Sequence, residues 1–232
     1  SDFKQNLNDA YANPGTKGII LSINSPGGSP VQAGIMNDEI KRLKSLNPKI
    51  PIYAVVEDIC ASGAYYVAVA TDSIFVDKAS ILGSIGVLMD GFGFEQSISK
   101  LGIERRLMTA GKNKGALDPF SPVNPEQKAH VQSLLDQVHQ QFINVVKDGR
   151  GARLVSGDEI FSGLFWSGEK SIKLGLSDYI GNVDYVAREI IGHERIEDFT
   201  TYETFADRFA KQLGVSIGAE IKGKLFNNFV LK

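Results

Sequence analysis

The residue of this sequence best suited to chemistry is Ser62, which stands in the segment Cys-Ala-Ser-Gly-Ala-Tyr-Tyr at residues 60–66. The serine follows an apolar run and precedes a stretch with helical spacing. A sharp turn between a strand and a helix displays a nucleophilic hydroxyl beside backbone N–H groups. A serine that only caps the helix occupies the same position. This segment alone leaves both interpretations open.

Two glycines, Gly27 and Gly28, follow an earlier apolar run. Glycine lets a backbone amide approach a ligand without an obstructing Cβ. An oxyanion hole needs two N–H donors about 3 Å from the developing charge. Gly28 and Gly63 are the candidate donors, from the ends of two neighbouring strands. The alternative is a strand-to-helix turn stiffened by nearby prolines, since no lysine of a phosphate-binding loop follows.

A serine nucleophile needs a base, and the histidines are weak candidates. None precedes His130. His130 and His139 fall on one long predicted helix among glutamines, which indicates exposure, and His193 lies near the C-terminal part. A Ser-His-Asp triad with Ser62 is therefore disfavoured.

Lys114 is the preferred base, in the glycine-flanked loop of residues 111–115. An amine accepts a proton only when it is neutral, and burial in an apolar pocket favours the neutral form. Lys112 is the second candidate, and a solvated surface charge is the alternative for both lysines. Ser84 lies in the glycine-interrupted segment 81–90 and is a candidate to orient a neutral lysine. The alternative is that Ser84 is an ordinary serine of a strand.

Composition sets limits on the function. The 232 residues carry a net charge of -2 and a 22% charged fraction, so nothing points to nucleic acid as a partner. Cys60 is the single cysteine and is predicted to be a small buried hydrophobe. No His/Cys/Asp/Glu group has metal-ligand spacing. No run approaches the roughly 18 apolar residues of a membrane span.

The elements that must position these residues alternate between strands and helices. Strands are predicted at residues 18–24, 50–58, 73–77, 81–90 and 104–109, and helices at residues 3–12, 31–46, 94–101, 126–147 and directly after Ser62. This alternation predicts an α/β fold with right-handed crossovers and a parallel sheet surrounded by helices. The inner face of the long helix is predicted to hold Val131, Leu134, Leu135, Val138, Phe142 and Val145.

Residues 193–232 differ from the rest, because apolar residues recur there at every fourth position from Phe205 to Phe229. We predict two parts, a main domain at 1–192 and a C-terminal amphipathic helical extension at 193–232. The extension is expected to dock on the main domain or on a neighbouring subunit, and binding to a lipid surface is the alternative.

Three segments in order, residues 23–28, 61–66 and 82–87, resemble the signal peptide peptidase A and SohB family of S49 serine peptidases. Residues 110–114 and the Trp-Ser-Gly at 166–168 extend the resemblance, which covers about residues 3–190. The resemblance implies a ClpP/crotonase-like fold with a Ser-Lys dyad and no metal or cofactor.

The resemblance also implies a role for each matching residue. Ser62 matches the nucleophile, Lys114 the general base, Gly28 and Gly63 the oxyanion amides, and Ser84 the hydroxyl that positions the lysine. It implies hydrophobic peptide substrates such as remnant signal peptides and unfolded segments, and a homo-oligomer shaped as a ring or dome. It further implies a bacterial inner-membrane location with the peptidase on the periplasmic or extracytoplasmic side.

The family has strands before the equivalent of residue 3, so we expect the chain to be truncated at its N-terminus and its membrane anchor to be absent from this chain. Two alternatives to the peptidase remain. A crotonase-type acyl-CoA enzyme would use the same oxyanion amides but would leave Ser62 idle. An inactive oligomeric adaptor would use the fold for assembly alone.

Overall fold

A six-stranded sheet surrounded by helices forms the part of the chain that the computed structural model describes, residues 2–201. The strands are β1 (Ile19–Ser25), β2 (Ile52–Ala61), β3 (Ser73–Val76), β4 (Ile81–Gly83), β5 (Phe165–Ser167) and β6 (Tyr179–Ile180). The α-helices are α1 (Asp2–Ala12), α2 (Pro30–Leu46), α3 (Gly63–Ala68), α4 (Glu95–Lys100), α5 (Pro125–Arg150), α6 (Gly168–Lys173) and α7 (Val183–Tyr185). Short 3-10 turns follow at Gly151–Arg153 and Asp158–Phe161, and a π-helical turn at Val186–Ile191.

Strand β2 is the centre of the sheet. It pairs with β1 along one edge, and along the other edge it pairs first with β3 and then, toward its carboxyl end, with β4. All of these pairs and the β3–β6 pair are parallel, whereas β5 is antiparallel to β4. The sheet therefore brings the carboxyl ends of β1, β2 and β4 together at one edge.

Alternation along β2 places apolar side chains on both faces of the sheet. Ala54 and Val56 pack with α3 and α5, while Val55 packs on the opposite face with Phe75 and Val186. A continuous apolar run is typical of a parallel strand buried on both faces. A further cluster joins α1, α2 and the start of β1.

A buried ion pair fixes the end of α5 against the sheet. Arg150 is 2% exposed and donates to both carboxylate oxygens of Asp178 at 2.8 Å. Burial raises the pKa of Asp178, but the bonds from Arg150 and from the Ile74 N–H outweigh it, so the net pKa lies below its usual value. Such a pair is costly to break, because the remaining charge would be buried alone.

The predicted α/β fold with a parallel sheet and surrounding helices is confirmed, with β5 the one antiparallel strand among the described residues. The predictions for β1, β2, β3 and the helices are right to within three residues at each end. The strand predicted at 81–90 is wrong beyond Gly83, and the strand predicted at 104–109 has no regular structure. A strand needs a partner for its backbone groups, and residues 104–109 pair with none of β1 to β6.

The predicted inner face of the long helix is right only toward its carboxyl end. The buried residues of α5 are Phe142, Val146 and Arg150, whereas Leu134 is 47% exposed. In the first half of α5, Val131, Leu135 and Val138 are only half-buried among the described residues.

Residues 193–201 pack against the start of the chain. Phe199 lies on the cluster that contains α1, Asn13 donates to Glu197 at 3.2 Å and Thr201 donates to Asn6 at 2.7 Å. The apolar repeat that begins at Phe205 lies outside the described residues, so the division at residue 192 stays a prediction. Between residues 2 and 201, none of the helices has the length and apolar character needed to cross a bilayer.

Candidate active site

Ser62 lies at the junction of β2 and α3 in a strained conformation, with φ 52° and ψ -124°. Positive φ is uncommon for a residue with a Cβ and often marks a functional site. The Ser62 N–H donates to Gly83 O at 2.8 Å, which holds this turn against β4. Although Ser62 precedes α3, its side chain makes no capping bond. The interpretation of Ser62 as a simple N-cap therefore loses its support.

The turn after β1 packs directly against the Ser62 turn. Gly27 has φ 112°, and a Cβ there would lie 2.8 Å from both Ala61 O and Ser62 Cβ. A Cβ on Gly63 would lie 3.1 Å from Gly28 N. Only glycines permit this approach.

The amides of Gly28 and Gly63 are thus neighbours beside Ser62. Among residues 2–201, no backbone acceptor takes a hydrogen bond from either N–H. The α3 N–H at Gly63 is one of those that a helix leaves unpaired at its start. Two unpaired donors beside a displayed hydroxyl are the parts of an oxyanion hole.

Ser84 reaches the same place from β4. In the parallel pairing Ala61 is opposite Gly83, so Ser62 and Ser84 are the next residues on neighbouring strands. Ser84 is also strained, with φ 51°, and its N–H donates to Leu164 O at 2.7 Å. The structure therefore brings the two serines and the two glycine amides together at one edge of the sheet.

Lys114 is not brought into this group in the single chain. Its side chain is exposed on a turn in which Lys114 N donates to Gly111 O at 3.0 Å, and Leu117 next in the loop has φ 59°. The single chain therefore does not bury Lys114 in an apolar pocket, and its role as the base stays a prediction. Lys112 is exposed as well, with Nζ 3.9 Å from Glu126.

Lys114 belongs to a long exposed segment, residues 86–124, which we call the arm. Helix α4 is its one regular element. Local contacts shape it: Phe94 stacks near Phe120 at 5.7 Å, and Arg105 binds Asp118 at 3.3 Å. Hydrogen bonds from Ser121 and then Arg105 lower the pKa of Asp118. Many large apolar side chains of the arm are nevertheless exposed, namely Leu88, Met89, Phe92, Phe94, Leu101, Ile103, Leu107, Met108, Leu117, Phe120 and Val123.

A groove of about 1210 Å³ runs along β1 to Gly28 and Gly63. Among the strands of residues 2–201, β1 pairs only with β2, and Ile19 N donates to Pro51 O at 2.8 Å just before β2 begins. At alternate residues of β1, the backbone N–H and C=O groups point away from β2 toward the unpaired edge, as they do in edge strands. Residues 193–200 and α1 form the other walls of the groove.

Other candidate groups have structural surroundings. Cys60 is fully buried, and burial raises the pKa of its thiol. The Tyr65 hydroxyl donates to Leu176 O at 2.7 Å and anchors α3. No three His, Cys, Asp or Glu side chains of residues 2–201 group as metal ligands.

Among residues 2–201, no histidine side chain makes a hydrogen bond to Ser62. His130 is exposed, and His193 lines the groove. His139, predicted to be exposed, is half-buried and bonds to Ile85 O at 3.0 Å. Sequence reasoning also missed that the Trp166 indole N–H is buried with no partner among the described residues. Its Cδ1 would lie 3.2 Å from a Cβ on Gly83, so this donor borders the site.

Comparison with known proteins gives three informative relatives. A protein of Brucella melitensis named Na(+)/H(+) antiporter NhaA is 41% identical over 80% of this chain and 25% of its own length. A putative protease of Methanocaldococcus jannaschii is 33% identical over 79% of this chain and 58% of its own length. A putative signal peptide peptidase SppA of Enterococcus faecium is 28% identical over 87% of this chain and 58% of its own length.

The chain thus spans between a quarter and about three fifths of these relatives. The family described as peptidase family S49 matches residues 44–197, which is well over half of the chain and includes Ser62, Ser84 and Lys114. The chain belongs to peptidase family S49.

Proposed function

We propose that the chain is a serine endopeptidase with a Ser-Lys dyad. Ser62 is the nucleophile, Lys114 the general base, Gly28 and Gly63 the oxyanion donors, and Ser84 the hydroxyl that positions the lysine. One observation carries the proposal: the Ser62 hydroxyl caps no helix, and it stands on a strained turn beside two unpaired amides. Family membership supports the same assignment.

The proposed reaction has two halves. Ser62 Oγ forms a bond to the peptide carbonyl carbon while its proton passes to neutral Lys114, and the oxyanion accepts bonds from Gly28 and Gly63. The C–N bond then breaks, and the leaving amine takes the proton from Lys114. Water attacks the acyl-enzyme, gives its proton to Lys114, and the Ser62 oxygen regains that proton as the acid product leaves. The scheme needs no metal or cofactor.

Lys114 must leave its exposed position for this chemistry. Two routes bring it to a Ser62: the arm folds inward within one subunit, or the arm of a neighbouring subunit reaches across. The exposed apolar side chains of the arm support burial by one of these routes. In either case the lysine would be desolvated beside Ser84, which favours the neutral amine.

A mixing experiment separates the two routes. Ser62→Ala and Lys114→Ala chains are each expected to be inactive. If the dyad forms between subunits, refolding the two variants together restores part of the activity. If it forms within one subunit, the mixture stays inactive.

The free edge of β1 is the proposed binding surface for substrate. An extended peptide pairs with such an edge through its backbone, and its side chains fill alternate pockets. Ile19, Leu21 and Met36 line the groove, which suits apolar residues. We therefore propose hydrophobic peptides, including remnant signal peptides and unfolded segments, as substrates. The relative from Enterococcus faecium carries the name signal peptide peptidase.

Assembly and location follow as parts of the same proposal. We propose a homo-oligomer, a ring or dome, because exposed apolar arms require cover. We also propose association with the bacterial inner membrane, with the peptidase on the periplasmic or extracytoplasmic side, where remnant signal peptides arise. Fractionation of the native host with an antibody to the chain checks the location.

Turnover of casein or of an apolar peptide tests the proposal. The wild-type chain is expected to cleave, and Ser62→Ala is expected to abolish cleavage while keeping the melting temperature. A folded, assembled wild-type chain that cleaves nothing would revive the adaptor alternative. Turnover of an acyl-CoA that persists in Ser62→Ala would favour the crotonase-type alternative.

A further inference from the structure

A hydrogen bond from helix α5 reaches the segment that carries Ser84. His139 Nε2 lies 3.0 Å from Ile85 O, and the imidazole is half-buried. A carbonyl oxygen only accepts, so Nε2 carries the hydrogen and donates it. The proposed Ser-Lys mechanism assigns no role to this histidine.

The packing of α5 fixes where His139 points. Phe142, Val146 and Arg150 follow at spacings of three and four residues, so they share one face of the helix with His139. Phe142 is buried, and its ring lies 5.1 Å from that of Tyr66 in α3. The histidine is therefore held against Ile85 by a face that is anchored in the core.

The segment after β4 is held at several points. Ser84 N donates to Leu164 O at 2.7 Å, and Gly86 N donates to Ser84 O at 2.9 Å. The bond from His139 to Ile85 O completes this set. Ser84 has φ 51°, and a strained residue persists only where its surroundings hold it. The Ile85 peptide is adjacent to Ser84, so its release would let Ser84 relax.

We propose that His139 is a positioning residue: its N–H bond to Ile85 O holds Ser84 in the conformation in which the Ser84 hydroxyl orients the lysine. This inference rests on the proposed function, in which Ser84 positions Lys114. His139 touches neither substrate nor the reacting atoms. Both the neutral and the charged imidazole can donate this bond, so the role is geometric.

The experiment compares four variants with the wild type in steady-state peptide cleavage. His139→Leu removes the donor, and His139→Gln retains an N–H of similar reach. His139→Glu has the shape of the glutamine without the donor and serves if the leucine variant unfolds. His130→Leu is the matched control, because it changes an exposed histidine of the same helix.

His139→Leu and His139→Glu are expected to lower kcat about tenfold with KM unchanged, since small displacements of catalytic groups cost rate. His139→Gln is expected to recover most of that loss, and His130→Leu to match the wild type. Melting temperatures are measured for each variant, so that the comparison uses folded protein.

A double-mutant cycle with Ser84→Ala tests whether His139 acts through Ser84. If it does, adding His139→Leu to Ser84→Ala lowers kcat no further. A further tenfold loss in that background would overturn the inference, as would wild-type kcat in folded His139→Leu. An inactive wild type would instead refute the proposed function and this inference with it.

Discussion

The edge of the sheet at Ser62 and Ser84 and the arm at residues 86–124 are held by different means. Both serines are fixed by backbone bonds, from Ser62 N–H to Gly83 O of β4 at 2.8 Å and from Ser84 N–H to Leu164 O, just before β5, at 2.7 Å. The arm has one short helix and exposes most of its large apolar side chains. The fold of one chain thus positions the proposed nucleophile and the proposed oxyanion donors, whereas the proposed base would depend on further contacts of the arm.

This difference follows from where hydrogen bonds and apolar cover are available. Ala61 and Gly83 end two strands that share a register, so the N–H groups of Ser62 and Ser84 each find a backbone acceptor nearby. The arm leaves the sheet at Gly86, and its backbone meets mainly its own turns. Only packing against another surface can desolvate its lysine.

The largest expected effect separates the two lysines of the arm. Lys114→Ala is expected to lower kcat by roughly 10³-fold or more, as loss of a general base does. Lys112→Ala is the matched control two residues earlier and is expected to keep wild-type turnover. Steady-state cleavage of an apolar peptide measures both. Equal losses, or a loss only at Lys112, would show that the arm presents a different base.

The close contact between the two glycine turns gives the next effect, on stability. Gly27→Ala is expected to cost about 2 kcal/mol, because the new Cβ meets Ala61 O at 2.8 Å in a backbone conformation that L-residues avoid. Gly28→Ala is the control, since a Cβ there meets nothing within 4 Å, and its cost should stay within about 0.5 kcal/mol. Urea unfolding of both variants measures the difference. Similar costs would mean that the turns are not in contact.

The pair formed by Glu39 and Arg42 in helix α2 gives a prediction about stability in acid. Hydrogen bonds from Arg42 lower the pKa of Glu39 to about 2. A carboxyl with a lowered folded pKa stabilises the fold above its unfolded pKa of about 4.3, and this contribution is lost as the pH falls toward 2. Glu39→Gln is therefore expected to flatten the dependence of melting temperature on pH between about 5 and 2. An unchanged pH dependence would show that the Glu39–Arg42 pair does not stabilise the fold.

The smallest expected effect on stability lies in the arm. Met108 is 93% exposed, so Met108→Lys should change the free energy of unfolding of the monomer by less than about 0.5 kcal/mol. The same variant is expected to weaken self-association in light scattering, because it places a charge on a surface that we propose becomes covered. Unchanged assembly would mean that Met108 lies outside any interface.

The contrast between the sheet edge and the arm also explains which elements the sequence predicts well. Strand β2 begins with a continuous apolar run, as expected for a strand buried on both faces, and the glycines after β1 mark a close approach. Ser62 follows from its place between a strand and a helix. Its uncapped hydroxyl and its strained backbone are visible only in three dimensions.

The sequence predicts the arm and α5 poorly for a physical reason. Residues 104–109 have the composition of a strand, but they pair with none of the strands among residues 2–201. Leu134 has the helical spacing of a core residue, yet its side chain is 47% exposed. His139 stands among polar neighbours, and nothing local indicates that α5 delivers it to Ile85 O.

The most direct test of the central claim is the rate at which a fluorophosphonate modifies Ser62, located by mass spectrometry in wild-type, Lys112→Ala and Lys114→Ala chains. We predict rapid modification at Ser62 in the first two chains and a rate lower by roughly 10³-fold in Lys114→Ala. Modification of Ser62 at the wild-type rate without Lys114, or modification at another residue, would contradict the account.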